Sequence, residues 1–336
     1  MVRAVPNQQR PMMRALLAHR RGGPESLVVE ATPVPQIRSS EVLVAVHAAA
    51  ITFDELRWDE TWSHLPTTPS HEWSGEVAAL GAKAARTSGL AGGDAVFGMV
   101  PFGWNGAAAE YVVVPSDLVA AKPSSLTHVE AAALPLAGLT ARQALVDQGH
   151  VGPGDDVVVV GAAGGVGAFA VQLARRMGAR VTATAFSHDL DFIMRLGAHH
   201  VHPADGPERR PLPTGTYDFV LDTVGGVSKA SSIALVRPGG IYVALQEPPP
   251  ADLLAEHGVE GRFFVVTPRR GDLAQLGLDV DQGKLKVTVA ATYPLVAGRQ
   301  AFESGAGPHR VPGKTVLVVR QDTLNGIALE REATPS

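Results

Sequence analysis

The segment Gly161-Ala162-Ala163-Gly164-Gly165-Val166-Gly167 holds the most specific chemistry in this sequence. Missing Cβ atoms let a backbone come close to a pyrophosphate, and a helix N-terminus offers free N–H groups carrying partial positive charge. Both conditions are predicted here. The valine run 157–160 reads as a strand entering the turn, and Val166, Phe169, Ala170, Leu173 and Met177 share one face of a helix leaving it. A glycine-rich loop can serve packing alone, but this strand and helix favour a bound dinucleotide, with Ala163, Gly164, Gly165, Val166 and Gly167 as its contacts.

A second β-branched run, 181–185, ends in Thr184-Ala185-Phe186-Ser187-His188. A carboxylate at such a tip accepts hydrogen bonds from an adenosine ribose and repels a 2′-phosphate. The tip itself carries none. Thr184, Ser187 and His188 are therefore taken as cofactor contacts, and the two donors Ser187 and His188 favour NADPH over NADH. The competing arrangement has Asp189 or Asp191 reaching back, with His188 a plain surface residue. Val224, Leu245, Phe264 and Val265 complete the expected cofactor-binding set.

These residues need a framework, and the texture of the chain supplies one. Residues 1–11 lack periodicity and read as a flexible leader. Short strand-like runs punctuated by Gly and Pro follow to about residue 121, the pattern of an all-β module. From residue 127 the texture becomes Ala-rich and helical, with β-branched runs at 157–160, 181–185, 219–221 and 241–245 spaced as in βαβ units. A helix is expected at 272–282, then strands at 286–290 and 314–319 that return to the first module.

Composition sets the outer limits. The 336 residues are 45% hydrophobic and 18% charged, enough to bury a large core and unlike a disordered chain. With 29 Lys and Arg against 33 Asp and Glu, the formal net charge of −4 offers no basic patch for a nucleic acid. Zero cysteines exclude disulfides, thiolate nucleophiles and every zinc site that needs a thiolate. No apolar run is long enough to span a bilayer and no signal-peptide core is present, so no membrane partner and a cytoplasmic location are expected.

Four motifs in order, Pro69-Ser70-His71-Glu72-Trp73-Ser74-Gly75, Ala133-Leu134-Pro135-Leu136-Ala137-Gly138-Leu139-Thr140-Ala141, the glycine segment and Gly313-Lys314-Thr315-Val316, resemble the medium-chain dehydrogenase/reductase superfamily. Within it the chain is similar to the zinc-free quinone oxidoreductases and enone reductases. The resemblance covers residues 13–320 and implies an α/β protein: a GroES-like β-domain from 12–126 and 285–336, and a Rossmann-fold, doubly wound parallel sheet from 127–284. Zinc-dependent members carry cysteine ligands in the segments where this chain has Thr52 and Leu136. The resemblance therefore implies no metal, with His71 a structural residue beneath the cleft. A homodimer is implied too, with the run 241–245 toward the sheet edge where subunits pair.

Where quinone reductases often show Asn-Phe-X-Asp-X-Tyr facing the nicotinamide, this chain has Thr52, Phe53, Asp54, Glu55, Leu56 and Arg57. Relatives that hold NADPH through Lys and Tyr are matched only by Leu190 and Ala204. The activity implied is hydride transfer from NADPH to a quinone or to the β-carbon of an α,β-unsaturated carbonyl compound. Thr52, Asp54 and Arg57 are the catalytic candidates that would stabilise charge on the substrate oxygen. Thr140 would orient the nicotinamide. Trp58, Trp62, Trp73 and Trp104, with Phe53 and Phe102, suit stacking on a small planar conjugated substrate, or equally the core of the β-domain, Trp73 above all. Carbonyl reduction to an alcohol, and a catalytically idle NADPH-binding protein, are the alternatives.

Overall fold

A computed structural model describes residues 11–208, 210–306 and 310–320. They form two compact units. The described parts of Met1–Lys122, Thr292–Pro308 and Thr315–Ser336 make one; Pro123–Ala291 and the described part of His309–Lys314 make the other.

The first unit grows around the strand Glu41–Ile51, a run of Ala and Val with nearly every side chain buried. Burial on both faces follows from its place inside a sheet. It pairs antiparallel with Glu72–Leu80 on one side. On the other side Tyr111–Pro115 takes its first half and Lys314–Val318 its second. The seven-stranded sheet runs Val289–Pro294, Lys314–Val318, Glu41–Ile51, Glu72–Leu80, Ala95–Met99, Ala120–Ala121, with Tyr111–Pro115 off this path. Val44, Val46, Trp73 and Leu317 meet in its core. A hairpin, Met12–Ala18 with Leu27–Pro33, makes a separate two-stranded sheet that is fastened to the rest of the unit by the bridges Ala15–Ala109 and Ala18–Thr67.

The second unit is a parallel sheet of six strands in the spatial order His200–Pro203, Arg180–Ala185, Asp156–Val160, Tyr217–Asp222, Val236–Ala244, Glu260–Phe263. Within this unit the chain starts in the middle, winds outward to one side, then returns and winds to the other: the doubly wound Rossmann topology. Strand order reverses between Asp156–Val160 and Tyr217–Asp222, and the crevice at their carboxyl ends is where such sheets receive ligands. The helix Gly165–Arg176 buries residues 167–174 between this sheet and the helix Pro135–Gln143. Among the described residues no helix is long and apolar enough to cross a membrane.

Several expectations shift. The first boundary falls at 122/123 rather than 126/127, because Asp281 accepts the N–H groups of Ser124 and Ser125 and the Ser125 hydroxyl at 3.1, 2.9 and 2.6 Å. Residues 285–291 stay with the parallel-sheet unit. There Lys286 donates its N–H to Gln172 Oε1 at 2.8 Å and accepts from Gln172 Nε2 at 3.1 Å. The run 241–245 is not at the edge, since Glu260–Phe263 lies outside it. His200–Pro203 and Glu260–Phe263 are strands that the β-branched pattern did not mark. The leader at 1–11 lies outside the described residues except for Pro11, whose carbonyl accepts the Val34 N–H; residues 321–336 also lie outside them.

Candidate functional site

Each glycine of the turn answers a different steric demand. Gly161 has φ +78°, and a Cβ there would come within 2.6 Å of both Thr223 Oγ1 and Val224 Cγ2. A Cβ on Gly167 would overlap the Gly161 carbonyl oxygen, so this residue lets the helix start directly over the turn. Gly165 lies under the aliphatic chain of Lys314, whose Cδ would be 2.7 Å from an added Cβ. Gly164, the exposed N-cap of Gly165–Arg176, has only the Gly161 carbonyl within reach, at 3.4 Å. Open space at Gly164 and the unsatisfied N–H groups of the first helical turn are the features a pyrophosphate needs. The residues present therefore fit a dinucleotide.

The surrounding strand ends brace this turn. Thr184 accepts the Ala162 N–H at its carbonyl (2.9 Å) and the Gly161 N–H at Oγ1 (3.4 Å). Thr223 donates its hydroxyl to the Val160 carbonyl at 2.8 Å. Behind it Asp222, fully buried, accepts the N–H groups of Val224 and Gly225 at 2.9 and 2.8 Å and the Tyr242 hydroxyl at 2.7 Å. Burial first, then the Asp222 carboxylate, raises the Tyr242 pKa far above that of a free phenol. The hydroxyl stays protonated and Asp222 stays held. Sequence reasoning missed both; an Asp closing an apolar strand before Thr-Val-Gly-Gly was the available signal.

Ala163, Val224, Leu245 and Phe264 each follow the end of a parallel strand, so topology brings them to the carboxyl end of the sheet. Val224 and Val265 are largely exposed there. Thr140 is buried and its hydroxyl donates to the Leu136 carbonyl at 2.7 Å, so only its lone pairs remain to orient a neighbour.

The tip beyond Arg180–Ala185 corrects the expectation of a carboxylate-free end. Asp205, eighteen positions after Ser187, accepts the Ser187 N–H at 2.8 Å and its hydroxyl at 2.9 Å. These bonds, the N–H first, hold its carboxyl below the ordinary carboxylate range. Asp189 is buried beside His188, with Oδ2 3.5 Å from Nε2, and burial pushes its pKa up. The rings of Phe186 and His188 stack at 5.9 Å and 12°.

In the other unit, Thr52, Asp54 and Arg57 lie on one irregular turn. The Thr52 carbonyl accepts the Glu55 N–H at 3.0 Å and the Asp54 carbonyl the Arg57 N–H at 2.8 Å. Asp54 and Arg57 are joined by backbone, not by an ion pair, and Arg57 is exposed. The residue that sequence reasoning passed over is Glu55. Fully buried, it accepts the Ser70 N–H at 2.9 Å and holds Oε2 3.7 Å from His71 Nδ1. Ser70 sits at φ +77°, a conformation that costs a non-glycine residue free energy and persists where its surroundings enforce it. Here the enforcing groups are Glu55 and the Ala50 carbonyl, which takes the Ser70 hydroxyl at 2.6 Å. The result aims His71 at Phe102, ring centroids 4.7 Å apart, with Trp58 closing the group at 5.9 Å from Phe102. Neither ring nitrogen of His71 has a hydrogen-bond partner among the described residues.

A catalytic zinc takes three protein ligands. Among the described residues His71 belongs to no group of three or more His, Cys, Asp or Glu ligand atoms within 4.8 Å of one another.

Residues 38–124 match the alcohol dehydrogenase GroES-like domain, and residues 196–317 match a family described as zinc-binding dehydrogenase. The chain is 31% identical over 318 residues to a probable zinc-binding oxidoreductase, mitochondrial, from Arthroderma benhamiae, covering 88% of this chain and 93% of that one. It is 32% identical over 307 residues to an NADPH-dependent alkenal/one oxidoreductase, chloroplastic, from Arabidopsis thaliana, covering 86% and 75%. Among solved structures, the quinone oxidoreductase from Coxiella burnetii superposes with a TM-score of 0.83 at 29% identity, over 92% of this chain and 100% of that one. The expected cytoplasmic location does not stand, because such relatives are named mitochondrial or chloroplastic.

Proposed function

We propose, for a chain that belongs to the medium-chain dehydrogenase/reductase superfamily and is an NAD(P)H oxidoreductase, that its reaction is zinc-independent reduction of a quinone or of the C=C bond of an α,β-unsaturated carbonyl compound. The observation that carries this reading is the glycine turn at the strand-order reversal, open at Gly164 and braced by Thr184, Thr223 and Asp222. The bound nicotinamide would supply the hydride. Gly164, Gly165, Val166 and Gly167 would hold the pyrophosphate on the first turn of their helix, with Ala163 on the approach, and Val224, Leu245, Phe264 and Val265 would flank the nicotinamide half. Thr140 would orient that ring by accepting from it.

On the substrate side, Thr52 and Arg57 are proposed to stabilise the negative charge that grows on the carbonyl oxygen as hydride reaches the β-carbon, with Asp54 shaping their turn. Solvent returns the proton. Phe102 and Trp58, which pack around His71, are suited to a flat conjugated substrate. Zinc independence is proposed from the ligand set, since neither Thr52 nor Leu136 can replace a thiolate.

The finer choice of coenzyme expected from sequence was NADPH. In its favour stand Ser187, His188 and the relative named as NADPH-dependent; against it stands Asp205 on the Ser187 donors. Use of NAD(P)H is what the proposal retains. A homodimer is also proposed, through the true edge strand Glu260–Phe263 rather than the run 241–245.

The test is coenzyme oxidation measured against quinones, enones, aldehydes and ketones, with and without exhaustive chelation. Turnover of quinones or enones, unchanged by chelation, is the expected outcome. Turnover of aldehydes and ketones alone would make the chain a carbonyl reductase. Binding of coenzyme without turnover of any class would make it an idle binding protein.

A further inference from the structure

Resting on the reading of the glycine turn as a nicotinamide coenzyme site, we infer that Asp205 sets the coenzyme choice of this chain, opposing the 2′-phosphate of NADPH and leaving NADH the tighter ligand. The position follows from the topology. Thr184 bonds directly to the turn through Gly161 and Ala162, and the chain just beyond it is where an adenosine ribose meets a doubly wound sheet. Ser187 lies three residues on. The segment from the neighbouring strand is fastened to this tip: Ala204 donates its N–H to the Ala185 carbonyl at 2.8 Å, and Asp205 takes both Ser187 donors.

Two consequences oppose a 2′-phosphate. The donors expected to greet it are already engaged, so the phosphate must displace Asp205 to reach them. A displaced or undisplaced Asp205 leaves an ionised carboxylate beside a group that itself carries between one and two negative charges near neutral pH. His188 is the basic side chain nearest the tip by sequence, and its ring faces the second carboxylate, Asp189, at 3.5 Å. Arg210 on the same connection donates to the Pro207 carbonyl at 3.1 Å. A ribose 2′-hydroxyl meets the opposite situation. It is neutral and can donate to the lone pairs of Asp205 that Ser187 leaves available.

The carboxylate comes from the third strand's loop and not from the tip of the second, which is why the local sequence around Ser187 does not show it. Asp189 is the rival. It is close in sequence, but it is buried and turned toward His188.

Calorimetric titration of the full chain with NADH and with NADPH tests the assignment. For the unaltered chain, NADH should bind tighter on the order of tenfold, the scale of one partly screened charge contact. Asp205→Asn keeps the shape and removes the charge; it should tighten NADPH on the order of tenfold and weaken NADH by less. Raising the ionic strength should narrow the gap between the two coenzymes in the unaltered chain and leave the ratio flat in Asp205→Asn. Tighter NADPH binding by the unaltered chain, or a ratio unmoved by both Asp205→Asn and Asp205→Ala, would overturn the inference. So would a ratio that moves with Asp189→Asn but not with Asp205→Asn. Failure to bind either coenzyme would overturn the oxidoreductase reading itself, which separates the two failures.

Discussion

The coenzyme turn and the polar turn at 52–57 are built by opposite means. The first works by leaving side chains out: Gly167 is pressed against the Gly161 carbonyl and Gly161 against Thr223, so the backbone shape is enforced by close approach. The second works by burying polar groups. Glu55 holds Ser70 in a left-handed conformation, the Thr61 hydroxyl donates to the Glu55 carbonyl at 2.6 Å, and Trp62 Nε1 donates to the Leu56 carbonyl at 2.9 Å. A turn of the first kind is intolerant of a methyl at the glycines its own neighbours press on, Gly161 and Gly167. A turn of the second kind depends on acceptors that hold particular backbone donors, Glu55 on the Ser70 N–H above all.

The difference can be broken most severely at the glycines. Gly167→Val would drive a branched side chain into the Gly161 carbonyl, and a loss of roughly 3 kcal/mol or more is expected, the upper range for overpacking. Thermal or urea unfolding measures it. Gly164→Val, in open space, should leave the melting temperature within a few degrees while weakening coenzyme binding by about tenfold or more. Gly165→Val falls between them, weakening the coenzyme by a similar factor and displacing the Lys314 chain. Equal effects at Gly164 and Gly167 would remove the distinction drawn between a packing glycine and a ligand-facing one.

On the polar side, Glu55→Ala would strand the Ser70 N–H in a buried site. A cost of about 1 to 3 kcal/mol is expected, whereas Glu55→Gln keeps an acceptor and should recover part of it. If the two substitutions are equally mild, Glu55 does not enforce the Ser70 conformation.

Chemistry sharpens the same comparison. Thr52→Val deletes a hydroxyl with little change of shape. Turnover should fall between tenfold and a hundredfold with coenzyme affinity intact, equivalent to about 1.4 to 2.7 kcal/mol of barrier. Arg57→Ala should raise KM with less effect on kcat, consistent with its exposure. Unchanged kinetics in both variants would place the polar turn outside the active site.

The smallest effect is expected from Asp281, whose carboxyl is lowered from the ordinary 3.8 to about 2, chiefly by the Ser125 hydroxyl. A lowered folded-state pKa contributes stability that is fully present above about pH 4 and is lost as pH falls through about 2. The exposure of this carboxylate keeps the amount modest. Asp281→Asn should therefore flatten the acid limb of the stability curve between those values, and an unaltered limb would show that these bonds do not tie residues 124 and 125 to their unit.

What was legible in the sequence was whatever depends on neighbours along the chain. The strand 157–160, the glycine turn and the amphipathic helix announced themselves because steric room at a turn and periodicity on a helix are local properties. The alternation of β-branched runs with helical spacers likewise announced the parallel sheet. Strands without that signature, His200–Pro203 and Glu260–Phe263, were invisible, since each becomes a strand by pairing at the sheet's flank and not by its own composition. The functional misses have the same cause. Asp205 reaches Ser187 across 18 residues, Glu55 reaches Ser70 across 15, and Tyr242 reaches Asp222 across 20. By itself the sequence determined that a glycine turn at 161–167 joins a strand to a helix. Tertiary structure alone decided which carboxylates stand around it, because hydrogen bonds and charges act through space, and the order of residues does not say which of them the sheet will bring together.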